Sequence, residues 1–166
     1  MSQATAADGS LPLARLLAIA YRQLITDLHA ELAEQGWADV RPAYGFALLA
    51  LRDGPLPGSE LGAVLGMTKQ ASSKLIDALV EAGYVRRLIR EGSARGLASS
   101  GDARVRPVEL TDRGGELLLA SETIYHSLES RWSEIIGRDR VAALREDLVA
   151  VLSQGDGELP PVRPLW

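Results

Sequence analysis

The sequence predicts a mostly α-helical fold with a small two- or three-stranded β-wing, and three observations support this prediction. Two helical patterns, at 59–65 and 68–82, are separated only by a tight turn. A strand pattern follows at 83–87 and returns near 104–110, after a stretch rich in Gly, Ser and Arg. Long apolar helical patterns lie at both ends of the chain. Together they indicate a winged helix-turn-helix with long N- and C-terminal dimerisation helices.

The first long helix is predicted at 11–36, after a polar N-terminus at 1–10 whose low apolar content predicts disorder. Its apolar residues recur at spacings of three and four: Leu13, Leu17, Ala20, Leu24, Leu28 and Leu32. Leu16, Ile19 and Ile25 widen this stripe beyond one face of the helix. So broad an apolar surface needs more than one partner surface, and we expect one of them to be a second subunit.

The DNA-binding domain is predicted over 40–110, and its helix ends are marked by recognisable residues. Pro42 suits the first turn of a short buried helix. Residues 53–58 have turn chemistry and are expected to form no regular structure. Ser59 is expected to cap the next helix, and Gly66 to end it in a left-handed conformation. Thr68 is expected to cap the second helix of the pair.

The helix at 68–82 has the pattern of a recognition helix. Its core-facing stripe consists of Ala71, Leu75, Leu79 and Ala82, with Ile76 and Val80 beside it. The opposite face of its N-terminal half carries Lys69, Gln70, Ser73 and Lys74, with Ser72 nearer the margin. These side chains suit phosphates and base edges, and no carboxylate lies among them. A solvated polar face is the alternative interpretation.

The C-terminal part of the chain, at 111–153, is predicted to form two dimerisation helices. Thr111 suits the N-cap of the first, and Gly137 separates the two apolar patterns. The tail at 154–166 is proline-rich and typical of disorder, although its apolar ending, Leu165-Trp166, is also compatible with packing on a partner subunit.

Charge is unevenly distributed along the chain, whose formal net charge is −4. Residues 69–106 hold eight basic and four acidic side chains, so this segment carries +4 and the remainder carries −8. A basic module on an acidic body directs DNA to one face. Cysteine is absent, which fits a reducing, cytoplasmic location. Neither a secretion signal nor a membrane-spanning run is recognisable.

The chain resembles the MarR family of bacterial transcriptional regulators, and two motifs carry the resemblance. One is the helix-turn-helix, GSELGAVLGMTKQASSKLIDALVEAGYVRR, and the other is the wing return, GDARVRPVELTDRG. In the second motif, Asp102, Arg104, Leu110, Thr111 and Gly114 match the family pattern Asp-x-Arg followed by Leu-Thr-x-x-Gly. The chain departs from the family in its longer loop at 88–101 and in Ala103, where the family usually has arginine.

The resemblance implies a regulator, most often a repressor, that binds a pseudopalindromic operator as a homodimer. The recognition helix would enter the major groove of double-stranded DNA, and Arg104 the minor groove. Arg106 is a candidate phosphate contact, Arg87 a phosphate or structural residue, and the long loop either extends the wing or is floppy. The candidate DNA-binding residues are Ser59, Thr68, Lys69, Gln70, Ser72, Ser73, Lys74, Arg87, Arg90, Arg95, Arg104 and Arg106.

The resemblance also implies release of DNA by a small aromatic or anionic effector, bound between the dimerisation helices and the DNA-binding domain. Candidates for this pocket are Arg15, Tyr21, Trp37, Tyr44 and Phe46, with His29 and Arg22 as further possibilities. Core or dimer-interface packing is the alternative role for each aromatic residue.

Other functional classes remain as alternatives or are disfavoured. The open alternatives are a non-catalytic dimeric protein-interaction module on a winged-helix scaffold, and a winged-helix DNA binder without an effector. No catalytic motif is recognisable, so we expect no enzyme activity and no cofactor. Two distant histidines without cysteine argue against a metal sensor.

Overall fold

The computed structural model describes residues 11–88, 106–153 and 159–163. Within these residues the fold is mostly helical, with one small antiparallel sheet, and the fold class predicted from the sequence is confirmed. The elements in chain order are α1 (Leu13–Glu34), α2 (Pro42–Ala50), β1 (Leu56–Pro57), α3 (Gly58–Val64), α4 (Lys69–Glu81), β2 (Val85–Arg87), β3 (Pro107–Leu110), α5 (Asp112–Ile136) and α6 (Arg138–Leu152).

Most helix ends lie where the local chemistry placed them. Thr68 and Thr111 cap α4 and α5, because each hydroxyl accepts a hydrogen bond from the backbone N–H three residues later. Gly36 and Gly66 adopt positive φ angles of 91° and 66°, which end α1 and α3 as predicted. The prediction for Ser59 was wrong: α3 begins one residue earlier, and Pro57 is the N-cap residue, with no side-chain capping bond.

The sheet has the strand order β1-β3-β2, and both pairings are antiparallel. Its first strand corrects the expectation that 53–58 contains no regular structure, because Leu56 and Pro57 pair with Val108 and Pro107. Proline is tolerated there because β1 is an edge strand, where one side of the backbone needs no partner. On the other edge, Val85 pairs with Leu110 and Arg87 with Val108.

The core lies where the second half of α1, α2, α3, α4, the sheet and the first half of α5 meet. Its largest fully buried side chains are Leu32, Leu48, Leu51, Leu61, Leu79, Val85, Val108, Leu117 and Ile124. Since α4 packs on this core through one side only, its opposite side is free to face a ligand. The fold therefore presents the polar face of α4 at the surface.

The first half of α1 and the whole of α6 are far more exposed than the second half of α1. The second half of α1 packs on α5, and Leu28 and Leu32 are buried there, whereas Leu13 is 69% exposed. None of the residues of α6 is buried, and Val151 is 73% exposed. The N-terminal half of α1 and most of α6 thus present apolar side chains that the described part of the chain leaves exposed.

A short piece of the C-terminal tail returns to the helix-turn-helix. The Arg163 guanidinium donates a hydrogen bond from Nε to the carbonyl oxygen of Val64, at 3.0 Å. This carbonyl lies in the last turn of α3, where backbone oxygens lack helical partners and attract cations. The predictions of disorder for 1–10 and of packing for Leu165-Trp166 concern positions outside the described residues.

Candidate nucleic-acid interface and apolar pocket

The turn between α3 and α4 is built by close approach of two small residues. A Cβ atom on Gly62 would lie 2.9 Å from Cβ of Ser72, so only glycine allows the two helices to cross at this distance. Thr68 accepts a hydrogen bond from the Ala71 N–H at 3.2 Å, which fixes the first turn of α4. The recognition helix is therefore held at its N-terminal end by packing and by a cap.

The predicted division of α4 into a core face and a polar face agrees with the observed burial. Leu75, Ile76 and Leu79 are buried, as the apolar pattern indicates. Exposed side chains lie on the other side: Lys69, Gln70, Ser73 and Lys74, followed by Asp77 and Glu81. Thr68, directly before this surface in the chain, is also exposed, and so is Ser59 in the first turn of α3.

Ser72 is the candidate DNA contact that the structure does not support. Its side chain is buried, at 2% exposure, and its hydroxyl donates to the carbonyl oxygen of Gly58 at 3.0 Å. A residue occupied in this way joins α4 to the start of α3 and is not available to a base edge or phosphate. The helical pattern predicted Ser72 at the margin of the polar face of α4. Its side chain is instead buried, because α3 approaches closely at Gly62.

Two arginines of β2 form ion pairs within the chain. Arg86 donates from Nε to a carboxylate oxygen of Glu109 at 2.6 Å, directly across the strand pair. Arg87 donates to a carboxylate oxygen of Asp77 at 2.5 Å, linking β2 to the exposed face of α4. Both pairs are solvent-accessible, so each contributes at most about 1 kcal/mol to stability. Of the two roles expected for Arg87, a phosphate contact or a structural contact, the ion pair with Asp77 supports the structural one.

The remaining candidates of the wing are placed only in part. Arg106 is exposed immediately before β3, the central strand of the sheet. Arg90, Arg95 and Arg104 lie outside the described residues, as does Asp102. The minor-groove contact and the form of the long loop therefore stay predictions.

The Leu-Thr-x-x-Gly segment forms the junction between α4, β2 and α5. The Thr111 hydroxyl donates to the carbonyl of Gly83 at 2.6 Å and accepts from the Gly114 N–H at 3.1 Å, while the Thr111 N–H donates to the carbonyl of Tyr84 at 3.0 Å. A Cβ on Gly114 would lie 2.1 Å from that Tyr84 oxygen. Threonine and glycine at these two positions therefore fix α5 against the end of the recognition helix.

An apolar pocket of about 300 Å³ lies between α1, α2 and the first half of α5. Of the five residues predicted for an effector site, Tyr21 and Phe46 line it, and His29 lines it as well. The other lining residues are Ile25, Leu28, Leu32, Val40, Arg41, Pro42, Gly45, Leu49, Leu118, Ser121, Glu122, Tyr125 and Val162. Sequence reasoning missed Arg41, which lies directly before α2. It also missed Glu122 and Tyr125, because nothing in the local pattern shows that α5 forms one wall.

Arg15, Trp37 and Tyr44, the other three residues predicted for an effector site, do not line this pocket. Tyr44 is buried in the core, 4% exposed, with its ring edge toward Tyr84 at a centroid distance of 5.9 Å. Trp37 packs against the same ring at 6.2 Å. Arg15 is exposed on the N-terminal half of α1.

Arg113 joins these aromatic residues from α5. Its guanidinium carbon lies 5.3 Å from the ring centroid of Tyr84 and 5.6 Å from that of Trp37, which is cation–π geometry. The cluster connects the end of α1 with the strand that leaves the recognition helix. Its role is structural, and this is the alternative that the sequence left for these aromatics.

The titratable groups inside the pocket are shifted toward their neutral forms. Burial raises the pKa of Tyr125, and the neighbouring Tyr21 raises it further. Burial also raises the pKa of the Tyr21 phenol and lowers the pKa of His29 below 6.5. At neutral pH the two phenols and the imidazole are therefore uncharged.

In the described ranges, no group of His, Cys, Asp or Glu is arranged to hold a metal ion. Over the same residues, every helix is too short or too polar to cross a membrane.

Comparison with known proteins gives a consistent family and fold. Residues 38–96 match the model of the MarR family. The reduced form of MarR from E. coli is similar to this chain with a TM-score of 0.69 and 25% identity, covering 87% of this chain and 99% of its own. Curated protein sequences gave no match.

Two further solved structures share the fold at lower identity. RV1404 from Mycobacterium tuberculosis has a TM-score of 0.66 at 23% identity, and the alignment covers 93% of this chain and 99% of that protein. MepR, a transcription regulator of the Staphylococcus aureus multidrug efflux pump MepA, has a TM-score of 0.63 at 16% identity, covering 87% and 98%.

Proposed function

We propose that this chain is a MarR-type transcription regulator that represses its targets by binding a pseudopalindromic operator as a homodimer. The match of residues 38–96 to the MarR family model and the likeness to MarR from E. coli support the proposal. The exposed N-terminal half of α4 carries this proposal, since Lys69, Gln70, Ser73 and Lys74 form a donor-rich surface without a carboxylate. Such a surface fits the major groove, with lysines on phosphates and the shorter side chains on base edges.

One feature of the molecule supports DNA binding by a dimer. Apolar side chains on α1 and α6 stay exposed in the single chain, and a second copy would bury them. A two-fold dimer would also place two copies of α4 about one DNA turn apart, roughly 34–36 Å, for two half-sites. Arg104 and the loop at 88–101 are proposed to reach the adjacent minor groove, with Arg90, Arg95 and Arg106 as further backbone contacts.

The pocket between α1, α2 and α5 is proposed as the effector site. It touches α1, whose N-terminal half belongs to the proposed dimer surface, and α2, which packs directly on α3 and α4. A ligand bound there would change the separation of the two recognition helices. It releases DNA only if it binds the DNA-incompetent arrangement more tightly.

The DNA-binding role is tested by fluorescence anisotropy on duplex pools of random sequence over a salt series, followed by selection of the tightest sites. We expect binding that weakens steeply with salt, and a selected site with two-fold symmetry. Lys69→Ala and Lys74→Ala should each lower the salt slope by about 1. Gln70→Ala and Ser73→Ala should instead relax the selected sequence.

The matched control is Arg138→Ala, which removes an exposed basic side chain from the first turn of α6. This variant should bind DNA as the unmodified chain does. If the unmodified chain shows no binding even at low salt, the regulator is excluded and the protein-interaction module becomes the better description.

A further inference from the structure

The walls of the pocket are almost entirely apolar. Leu28 and Leu32 of α1 are buried at its base, and Phe46, Leu49 and Leu118 add half-buried side chains from α2 and α5. A ligand gains affinity here chiefly by removing apolar surface from water. The volume of about 300 Å³ is at the low end for small-molecule sites, which suits a compact aromatic ring system.

Two charged side chains of opposite sign line the pocket, and both are at least partly exposed. Arg41 is solvent-exposed, and its guanidinium lies 6.0 Å from the ring of Tyr44. The Glu122 side chain is 46% exposed and pairs with Arg52 at 3.5 Å. Arg41 is the sole cation among the residues that line the pocket in the described part of the chain. An anion would be attracted by Arg41 and repelled by Glu122.

The remaining polar side chains of the lining are neutral hydrogen-bonding groups. Tyr21, His29 and Tyr125 supply phenol and imidazole atoms, and burial favours their uncharged forms. The Ser121 hydroxyl already donates to the carbonyl of Leu117 at 2.8 Å. Groups of this kind can hold a hydroxyl or carbonyl oxygen, but they do not compensate a buried carboxylate for the loss of its water.

We infer that this pocket selects an uncharged aromatic ligand with a single hydrogen-bonding group, and that Glu122 discriminates against carboxylates. The inference rests on the proposed effector role and decides between the two expected ligand classes, aromatic and anionic. The free-energy cost of removing a carboxylate from water exceeds the attraction that one exposed arginine provides. Repulsion by Glu122 weakens that attraction further.

The test is calorimetric titration of the DNA-free protein with three naphthalene probes of one shape. We expect neutral 2-naphthol to bind at least about tenfold more tightly than 2-naphthoate or the cation 2-naphthylmethylammonium. Tighter or equal binding of 2-naphthoate overturns the inference, and so does the absence of binding by all three probes. Since the titration contains no DNA, neither result bears on DNA binding, which has its own experiment.

Two pairs of variants locate the bound probe and test the role of Glu122. Gly45 lines the pocket, and a Cβ there meets nothing within 4 Å, so Gly45→Leu should fill the cavity and weaken 2-naphthol binding at least about tenfold. Gly115 on α5 is equally open and does not line the pocket, so Gly115→Leu should leave binding unchanged.

Replacement of the Glu122 carboxylate should change the selectivity between 2-naphthol and 2-naphthoate without changing the affinity for 2-naphthol. Glu122→Gln should narrow the preference for 2-naphthol over 2-naphthoate by about threefold, whereas Glu116→Gln, an exposed change outside the pocket, should not. Equal selectivity in Glu122→Gln and the unmodified chain contradicts the assigned role of Glu122, and unchanged binding in Gly45→Leu contradicts the assigned site.

Discussion

Thr111 and Gly114 show how two residues of a short motif determine the position of a whole helix. Thr111 bonds to the backbone of Gly83, Tyr84 and Gly114, so one residue joins the end of α4 to the start of α5. Gly114 allows α5 to approach the Tyr84 carbonyl more closely than any side chain would permit. The geometry accounts for threonine and glycine at these positions without reference to DNA.

Gly114→Ala should destabilise the fold by at least about 3 kcal/mol, because the added methyl group would meet a backbone oxygen at 2.1 Å. Gly115→Ala is the matched control: the neighbouring position is open, and alanine in a helix is favoured by up to about 1 kcal/mol. Denaturant unfolding of both variants measures the difference. Equal stability of the two variants would show that α5 shifts easily, and this would contradict a rigid junction between α5 and the Tyr84 carbonyl.

Residue-level predictions from sequence succeeded where chemistry acts locally and failed where packing decides. The hydroxyl caps at Thr68 and Thr111 depend on neighbours three residues away, so the sequence contains all the information they need. Ser72 and Tyr44 depend on residues brought together by the fold, namely Gly58 and Tyr84. A helical pattern gives the direction of a side chain but not the distance to the next helix.

At the scale of elements, the recognition helix is anchored at both ends. Gly62 and Ser72 fix its start against α3, and the Arg87–Asp77 ion pair ties its second half to β2. The sequence predicted the six helices of the described residues to within about two residues, because caps and apolar spacing mark them. It did not predict β1, since a two-residue strand has no period and exists only through its pairing with β3.

The Arg87–Asp77 pair gives a prediction about how Arg87 acts. If Arg87 positions α4, Arg87→Gln and Asp77→Asn should each weaken DNA binding by roughly threefold, and the double variant should be no weaker than either. The measurement is operator affinity over a salt series.

Removing an acid near DNA also strengthens binding through charge alone, so Glu81→Gln on the same exposed face is the control. Asp77→Asn should bind less tightly than Glu81→Gln. Tighter binding by Asp77→Asn, together with a salt slope lowered by about 1 in Arg87→Gln, would instead identify Arg87 as a phosphate contact.

At the scale of the whole molecule, the sequence indicated an exposed apolar surface and the structure shows where it lies. Leu13, Leu16 and Ile19 on α1, and Val151 and Leu152 on α6, are each at least 49% exposed. Leu24 and Leu148, which the apolar pattern alone would nominate for the interface, are partly buried within the chain. Apolar periodicity does not distinguish a side chain that packs within its own chain from one that packs on a second subunit, because both are apolar.

The proposed dimer is therefore best tested at the most exposed positions. Val151→Asp and Leu13→Asp should give a monomer at micromolar concentration, because each would place a carboxylate inside an apolar interface without a counter-charge. Sedimentation velocity measures the mass, and circular dichroism should show that the helices persist.

Ala63→Asp, at an exposed position on α3, should leave the mass unchanged. An unchanged mass in both test variants would exclude the α1 and α6 interface, and the loss of two-site DNA binding in monomers would link dimerisation to operator recognition.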